Sequence, residues 1–362
     1  MIKLQEKSQC FLVLCFLSLL VVLSPAYPQA EYPDITWDKV EKPEELGYSS
    51  KKLEEAKSFS KGLKTAAVVI VVDGVILKEW GKVEKKFMTH SVRKSFLSAL
   101  YGIYVDKGII DLDKSMADLG IKDDPPLSKM EKQATIRDCL KARSGVYHPA
   151  LYESQGMKKL KPPRFSQIPG TFWYYNNWDF NVLGTIFEKR TGQKIFDAIE
   201  EDIAGPIQME DYRAEDGWYV TGKASKHPAY PFRITARDMA RFGLLMLRQG
   251  KWKDKQVIPE DWVKESTCYH SDATLYHSDG YGYMWWVARD HNKYSHMPNV
   301  DLEEGTFSAR GAGGHYLMVI PDHHMVFVHR VNTDKRGHRV ASEDVGRMLQ
   351  MILNAKLTSL VR

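Results

Sequence analysis

The chain has 362 residues, of which 43% are hydrophobic and 27% charged, enough apolar material for a substantial core and too little polar bias for extensive disorder. A formal net charge of +5, with basic residues scattered among acidic ones, gives nucleic-acid binding no compositional support. One large domain or two interleaved ones fit the length.

Lys3 and Lys7 precede an apolar run from Cys10 to Leu23 broken only at Ser18, followed by Ser24-Pro25-Ala26 and Ala30. This is the pattern of a secretory signal peptide over residues 1–30, so the chain is expected to be exported, periplasmic or secreted. The run is short against the ~20 residues of a spanning helix, so membrane association is expected only through an uncleaved signal. Signal removal would leave Cys139 and Cys268, which the sequence allows either to pair or to stay apart.

After a proline-containing entry, Ser49 to Lys64 reads as an amphipathic helix. Thr65–Val72 and Val75–Trp80 are β-rich runs joined by Asp73-Gly74, a hairpin signal. Phe96, Leu97, Leu100, Tyr101, Tyr104 and Val105 then mark one face of a helix that stops at Lys107-Gly108. From Asp111 to Ser278 helix and loop signals dominate: a helix starting at Thr135, another along Phe180, Leu183, Ile186 and Phe187, and one capped by Thr235 with Asp238 three residues on. Tyr316–Ile320 and Met325–Val331 predict a second hairpin, and Val345, Met348, Leu349, Ile352 and Leu353 a closing helix. Helix-hairpin at one end and hairpin-helix at the other predict a single antiparallel sheet built from both ends, flanked by helices. The expected α+β organisation places a sheet lobe at about 49–110 and 279–362 and an inserted, mostly helical lobe at about 111–278, all within one domain from residue 31 to 362.

Three stretches carry chemistry. Ser91 stands at the predicted start of the Phe96 helix with Lys94 one turn on, so an amine can approach the hydroxyl where unpaired amides favour developing negative charge. In Pro169 to Asn177 a turn delivers a cluster of aromatics and amides ahead of a helix, and Tyr174 or Tyr175 is a candidate general base if a nearby lysine holds it partly ionised. Phe307-Ser308-Ala309-Arg310-Gly311-Ala312-Gly313-Gly314-His315 runs into a predicted strand, and its glycines suit close ligand approach with a main-chain amide for an oxyanion. These glycines precede a strand and do not join a strand to a helix, which excludes a dinucleotide fingerprint. His323 and His324 fall in a turn, and His270 and His277 have no partner at a ligand spacing, so no metal site is expected. His148 is a candidate pocket neighbour, and no Gly-x-Ser-x-Gly elbow occurs.

Ser91-Val92-Arg93-Lys94, the Tyr-x-Asn element and the glycine-rich third element, in that order, resemble the serine β-lactamase and penicillin-binding-protein-like hydrolases, in particular class C β-lactamases, family VIII esterases and nylon-oligomer hydrolases. The likeness spans about Ser49 to Leu353 and is supported at Thr135–Gly145, Ala204–Met209 and Tyr281–Trp286. It implies the β-lactamase/transpeptidase-like fold, with Ser91 as acylated nucleophile, Lys94 and Tyr175 sharing its proton, and the amides of Ser91 and Ala312 as oxyanion hole. Spacing from Pro169 and to Gly184 within the family pattern selects Tyr175 with Asn177 over Tyr174 with Asn176. Gly311, Asn177, Tyr147, Arg310 and Trp285 are the implied substrate-binding residues, Trp173 and Tyr281 adding apolar surface. No metal or organic cofactor is implied. Two departures matter: Ala309-Arg310-Gly311 stands where the family usually has a Lys or His followed by Thr-Gly, and Ala142-Arg143-Ser144-Gly145 replaces a common His-Thr-Ser-Gly. With Arg310 turned away, a β-lactam carboxylate would have no cation. The expectation is an exported serine hydrolase cleaving a small-molecule ester or amide, an esterase or amidase sooner than an efficient β-lactamase. The alternatives are a non-catalytic peptidoglycan or peptide sensor on the same scaffold, and a true β-lactamase or D,D-peptidase.

Overall fold

The computed structural model describes residues 32–289 and 296–357; the expected signal segment lies outside them. Asp73 and Gly74 both take positive φ, 52° and 99°, and turn β1 (Thr65–Val72) back onto β2 (Val75–Gly81). Further strands are β3 (Ser271–Asp272), β4 (Gly280–Tyr281), β5 (Trp286–Val287), β6 (Phe307–Gly311), β7 (His315–Ile320) and β8 (Met325–Val331). They form one antiparallel eight-stranded sheet in the order β2-β1-β8-β7-β6-β5-β4-β3. The two terminal hairpins thus meet at β1 and β8, with Val69 opposite Val328 and Ile70 opposite Phe327.

Side chains alternate across a strand, so β1 divides its apolar run between two cores. Val68, Ile70 and Val72 face the helices α1 (Ser50–Lys61) and, at the C-terminus, Ser342–Leu353, through Leu53, Ala56, Val345, Met348 and Leu349. Ala67, Val69 and Val71 face the larger core, which includes α2 (Arg93–Asp106), α3 (Asn177–Thr191), α4 (Ala236–Leu247) and α5 (Glu260–Thr267). Burial on both faces is why β1 reads as an unbroken apolar stretch, each such side chain contributing about 1.5–3 kcal/mol. The closing helix, α6 (Ser342–Leu353), lies beside α1.

The predicted lobe boundary shifts in two places. α4, numbered within the expected helical lobe, packs on β1, β7 and β8. Gly243 makes that approach possible, since a Cβ there would lie 2.5 Å from Val326 Cγ1 and 2.6 Å from Leu317 Cδ1. Strand β3 and part of the β3–β4 turn also come from that numbered range and extend the sheet. The Thr135 cap forms the reciprocal box with Asp138, but at Thr235 only the first half forms. Asp238 instead accepts from the amides of Glu210, Asp211 and Tyr212 at 2.8, 2.9 and 2.9 Å, and three converging donors outcompete one. Cys139 is buried and Cys268 exposed, and both are free thiols.

Candidate active site

The hydroxyl of Ser91 is presented by a single 3-10 turn, His90–Val92, that runs directly into α2, so Ser91 sits one turn ahead of the α-helix proper. His90 adopts a left-handed φ of 48°, and its Nε2 is 2.8 Å from Thr333 Oγ1. This side-chain tie helps hold a turn that a non-glycine residue adopts only at a cost. From the first turn of α2, Lys94 reaches back with its amine 3.1 Å from Ser91 Oγ. The same amine is 2.7 Å from the Tyr175 hydroxyl and 3.0 Å from Asn177 Oδ1.

Two adjacent asparagines divide the labour at the start of α3. Asn176 caps the helix by accepting from the Trp178 amide and donates to Val146 O and Asp179 Oδ1. Asn177 donates to the carbonyl of Tyr152 at 2.6 Å, which turns its own Oδ1 toward Lys94. Tyr174 points the other way and donates to Met157 O. The structure therefore brings Ser91, Lys94, Tyr175 and Asn177 together and leaves Tyr174 outside the cluster.

Electrostatics set the protonation states. Lys94 is fully enclosed, and burial, with the Arg93 guanidinium adding to it, pushes its ammonium well below the usual lysine range. Burial raises the Tyr175 phenol to about 12, against smaller lowering effects from Ser91, Arg93 and Arg310. Both shifts favour the uncharged forms, amine and phenol, whereas the sequence anticipated a partly ionised tyrosine. A neutral amine has two hydrogens and one lone pair. In that form its two hydrogens suit Asn177 and Tyr175, and its lone pair faces the Ser91 hydroxyl 3.1 Å away.

The cleft above this cluster measures about 430 Å³ and is lined by His90, Ser91, Tyr152, Ser154, Met157, Tyr175, Asn177, Tyr276, Trp286, Arg310, Gly311 and Ala312. Gly311 brings β6 against the nucleophile turn: a Cβ there would stand 2.6 Å from the Thr89 carbonyl and 3.3 Å from His90 Cβ. That approach puts Ala312 and Ser91 on one cleft. Asp179 braces the floor, accepting from the Ser144 hydroxyl at 2.5 Å; burial raises its carboxyl well above the usual range.

Several expected residues fall elsewhere. Trp285 is wholly buried against Phe242 and Phe307, and the cleft receives Trp286 in its place, stacked on Tyr175 at 5.3 Å. Met284 takes φ 61°, and this turn resets which of the two indoles faces the site. Tyr147 is buried edge-on to Tyr174 and does not line the cleft. His148 is enclosed between Asp123 and Glu131, also away from it. Arg310 is not turned away: its guanidinium lies over Trp286 at 4.9 Å, with Nε donating to Ser308 Oγ at 3.0 Å and Nη2 to the His296 carbonyl. Burial lowers it to about 10, which leaves it charged at neutral pH. Sequence reasoning assigned nothing to Arg93, whose guanidinium lies against the rings of Tyr230 and Tyr152 at 5.0 and 5.4 Å and sets the field at Lys94. It also overlooked Tyr276, half-buried in a single 3-10 turn, and Tyr152, an exposed loop aromatic, neither of which carries a periodic signal.

A sheet from both chain ends, with a serine at a helix start facing a lysine and a tyrosine across a lobe junction, defines the β-lactamase/transpeptidase class of fold. The Beta-lactamase family model matches residues 51–350, and the chain belongs to that family. Among solved structures it is similar to a putative 6-aminohexanoate-dimer hydrolase from Bacillus anthracis, at 20% identity and TM-score 0.64 over 90% of this chain and 89% of the other. A penicillin-binding protein homolog from Caulobacter crescentus aligns at 14% identity and TM-score 0.63, covering 88% and 99%. A family VIII carboxylesterase aligns at 15% and 0.58, covering 84% and 97%.

The two tyrosines separate by position. Tyr175→Phe should lower kcat by about 10²–10⁴-fold, the range for a lost proton-transfer group, while Tyr174→Phe stays within a few-fold. Steady-state kinetics on both variants check this, and a reversed order would contradict the placement of Tyr175 at the amine.

A second expectation concerns pH. The folded-state pKa of Lys94 lies below the ordinary lysine value of 10.5, so between the two the unfolded chain holds a proton that the folded chain lacks, and stability rises with pH across that window. Lys94→Met removes this linkage. The Tm of the native chain minus that of Lys94→Met should therefore climb as pH rises toward 10.5 and level off above it. A flat difference would mean that Lys94 is not buried neutral.

Proposed function

We propose that the protein is an exported serine hydrolase that cleaves an ester or amide through an acyl-enzyme on Ser91. The observation that carries this reading is the amine of Lys94, held 3.1 Å from the Ser91 hydroxyl and 2.7 Å from Tyr175 in full enclosure. Burying an amine is costly, and a sensor that only binds has no need of one poised to take a serine proton.

In the proposed cycle the Ser91 oxygen attacks the substrate carbonyl as its proton passes to Lys94 Nζ, and the tetrahedral oxyanion lies between the amides of Ser91 and Ala312. Tyr175, hydrogen-bonded to the same amine, relays the proton to the leaving alkoxide or amine, so the C–O or C–N bond breaks without an anion being released. Water then attacks the acyl-Ser91 ester, giving its proton to the Lys94–Tyr175 pair, and Ser91 leaves reprotonated. Export is supported by the Lys3, Lys7 and Cys10–Leu23 pattern with small residues at Ala26 and Ala30.

The cleft favours an uncharged, partly apolar substrate. Met157, Tyr152, Tyr276 and Trp286 supply its apolar wall. Ala309, where lactamases of this family carry a cation, is 1% exposed and packed in the core. Arg310 cannot swing to that side without giving up Ser308, the His296 carbonyl and the Trp286 face together. A charge-assisted bond to a lactam carboxylate, about 1.5–3 kcal/mol, is thereby lost from its usual direction, or roughly 10–100-fold in rate. The purified protein should turn over p-nitrophenyl butyrate with a higher kcat/KM than nitrocefin, and Ser91→Ala should abolish ester turnover together with covalent labelling by a serine-directed phosphonate. Labelling that survives in Ser91→Ala would remove Ser91 as the nucleophile; efficient nitrocefin turnover would remove the substrate preference alone.

A further inference from the structure

Away from the cleft, Glu265 and Cys268, at and just beyond the end of α5, and His270, just before β3, each bring one ligand atom to within 4.8 Å of the other two. Cys268 Sγ is 3.4 Å from His270 Nε2, and Nε2 is 3.5 Å from Glu265 Oε1. Tetrahedral zinc has Zn–S of about 2.3 Å and Zn–N and Zn–O of about 2.0–2.2 Å, which sets ligand-to-ligand edges of roughly 3.3–3.6 Å. The two measured separations fall in that interval, and the third, from Sγ to the carboxylate, is within 4.8 Å. The Glu265 carbonyl oxygen lies beside them, 2.8 Å from Nε2 and 3.2 Å from Sγ.

The surroundings hold these groups in place. Tyr283 donates its hydroxyl to Glu265 Oε1 at 2.8 Å and is itself held by Arg137 Nη1 at 3.1 Å. The His270 imidazole stacks on the Tyr283 ring at 4.5 Å with an interplanar angle of 12°, and its amide donates to Tyr281 O. One aromatic residue therefore orients both the carboxylate and the imidazole, as outer-shell partners of metal ligands do. Cys268 is exposed, which gives an ion access from solvent. None of the three lines the cleft that contains Ser91.

We infer that Glu265, Cys268 and His270 form a binding site for a thiophilic divalent cation, zinc being the ion their thiolate, imidazole and carboxylate donors fit, with solvent completing the shell. Binding replaces the Cys268 thiol proton, which is released to solvent, and moves the imidazole proton to Nδ1 so that the Nε2 lone pair faces the ion. The hydrogen bonds from Sγ and Nε2 to the Glu265 carbonyl are given up in the exchange. The ion ties the end of α5 to the start of β3, so its role is structural.

The test uses untagged full-length protein, zinc in competition with a chromophoric chelator, and cobalt(II) as a spectroscopic probe. One equivalent of zinc should bind, and cobalt(II) should give a thiolate-to-metal charge-transfer band. Cys268→Ser should abolish the band, and both Cys268→Ser and His270→Ala should weaken zinc binding by more than the roughly 10–100-fold typical of an outer-shell loss. Ester turnover of the metal-free variants should match that of the metal-free parent, which keeps this outcome separate from the Ser91 chemistry. No stoichiometric binding, a band that persists in Cys268→Ser, or a band indifferent to His270→Ala would each overturn the site.

Discussion

A lysine amine sealed from water beside a serine is the constraint on which the rest of this molecule depends. Full enclosure removes the solvent that normally keeps an ammonium charged, and Arg93, one residue away, makes a second positive charge there still less favourable. The amine must then be satisfied by neutral partners, and they come from a distant part of the chain: Tyr175 and Asn177 at the start of α3. Asn177 serves only because its amide is anchored to the Tyr152 carbonyl, and α3 starts where it does because Asn176 caps it. The helical lobe is thus required by the site as well as by the core. It delivers two acceptors to a buried amine that α2 alone cannot satisfy.

The sheet answers a second requirement, that a strand run close enough to the nucleophile turn to offer its backbone. Gly311 permits the contact with Thr89 and His90, and the turn is held from the far side by Arg330. That guanidinium is fully buried on β8 and donates to the carbonyls of Phe87, Met88 and Ile234, and to His315 Nδ1. Removing its partners singly would leave a charge buried without compensation, which is far more costly than the bonds themselves suggest. The segment leading into the Ser91 turn, the residues just before α4 and the start of β7 therefore converge on one side chain of β8.

Much of this was legible in the sequence where local rules act alone. Asp73-Gly74 fixed its hairpin because positive dihedrals leave few alternatives, and the closing helix begins at Ser342 where its apolar spacing implied. The Thr135 cap formed in full because nothing competed for Asp138. Reading failed where parity or partners are tertiary. Short strands on either side of Met284, with its positive φ, decide between Trp285 and Trp286, and no periodicity survives over two-residue strands. Glu265, Cys268 and His270 meet at a helix-to-strand junction, where spacing carries no fixed direction, so their proximity leaves no mark in the sequence.

Arg310 shows how such a failure bears on chemistry. Across the β5–β6 ladder Trp286 is opposite Ser308, and period two places Arg310 on the Ser308 face. The guanidinium accordingly bonds Ser308 and covers Trp286, which also stacks on Tyr175 and meets Trp173 and Tyr281 edge-on. A cation, an indole and a phenol form one column, so the positive charge that the third motif lacks at Ala309 reappears behind an aromatic plate. Stacked there, it opposes the burial that raises the Tyr175 phenol, and it takes no part in the Lys94–Ser91 contact. The displacement by one residue thus moves the motif's positive charge from the Ala309 side to the Trp286 face, while burial still favours the uncharged forms of Lys94 and Tyr175.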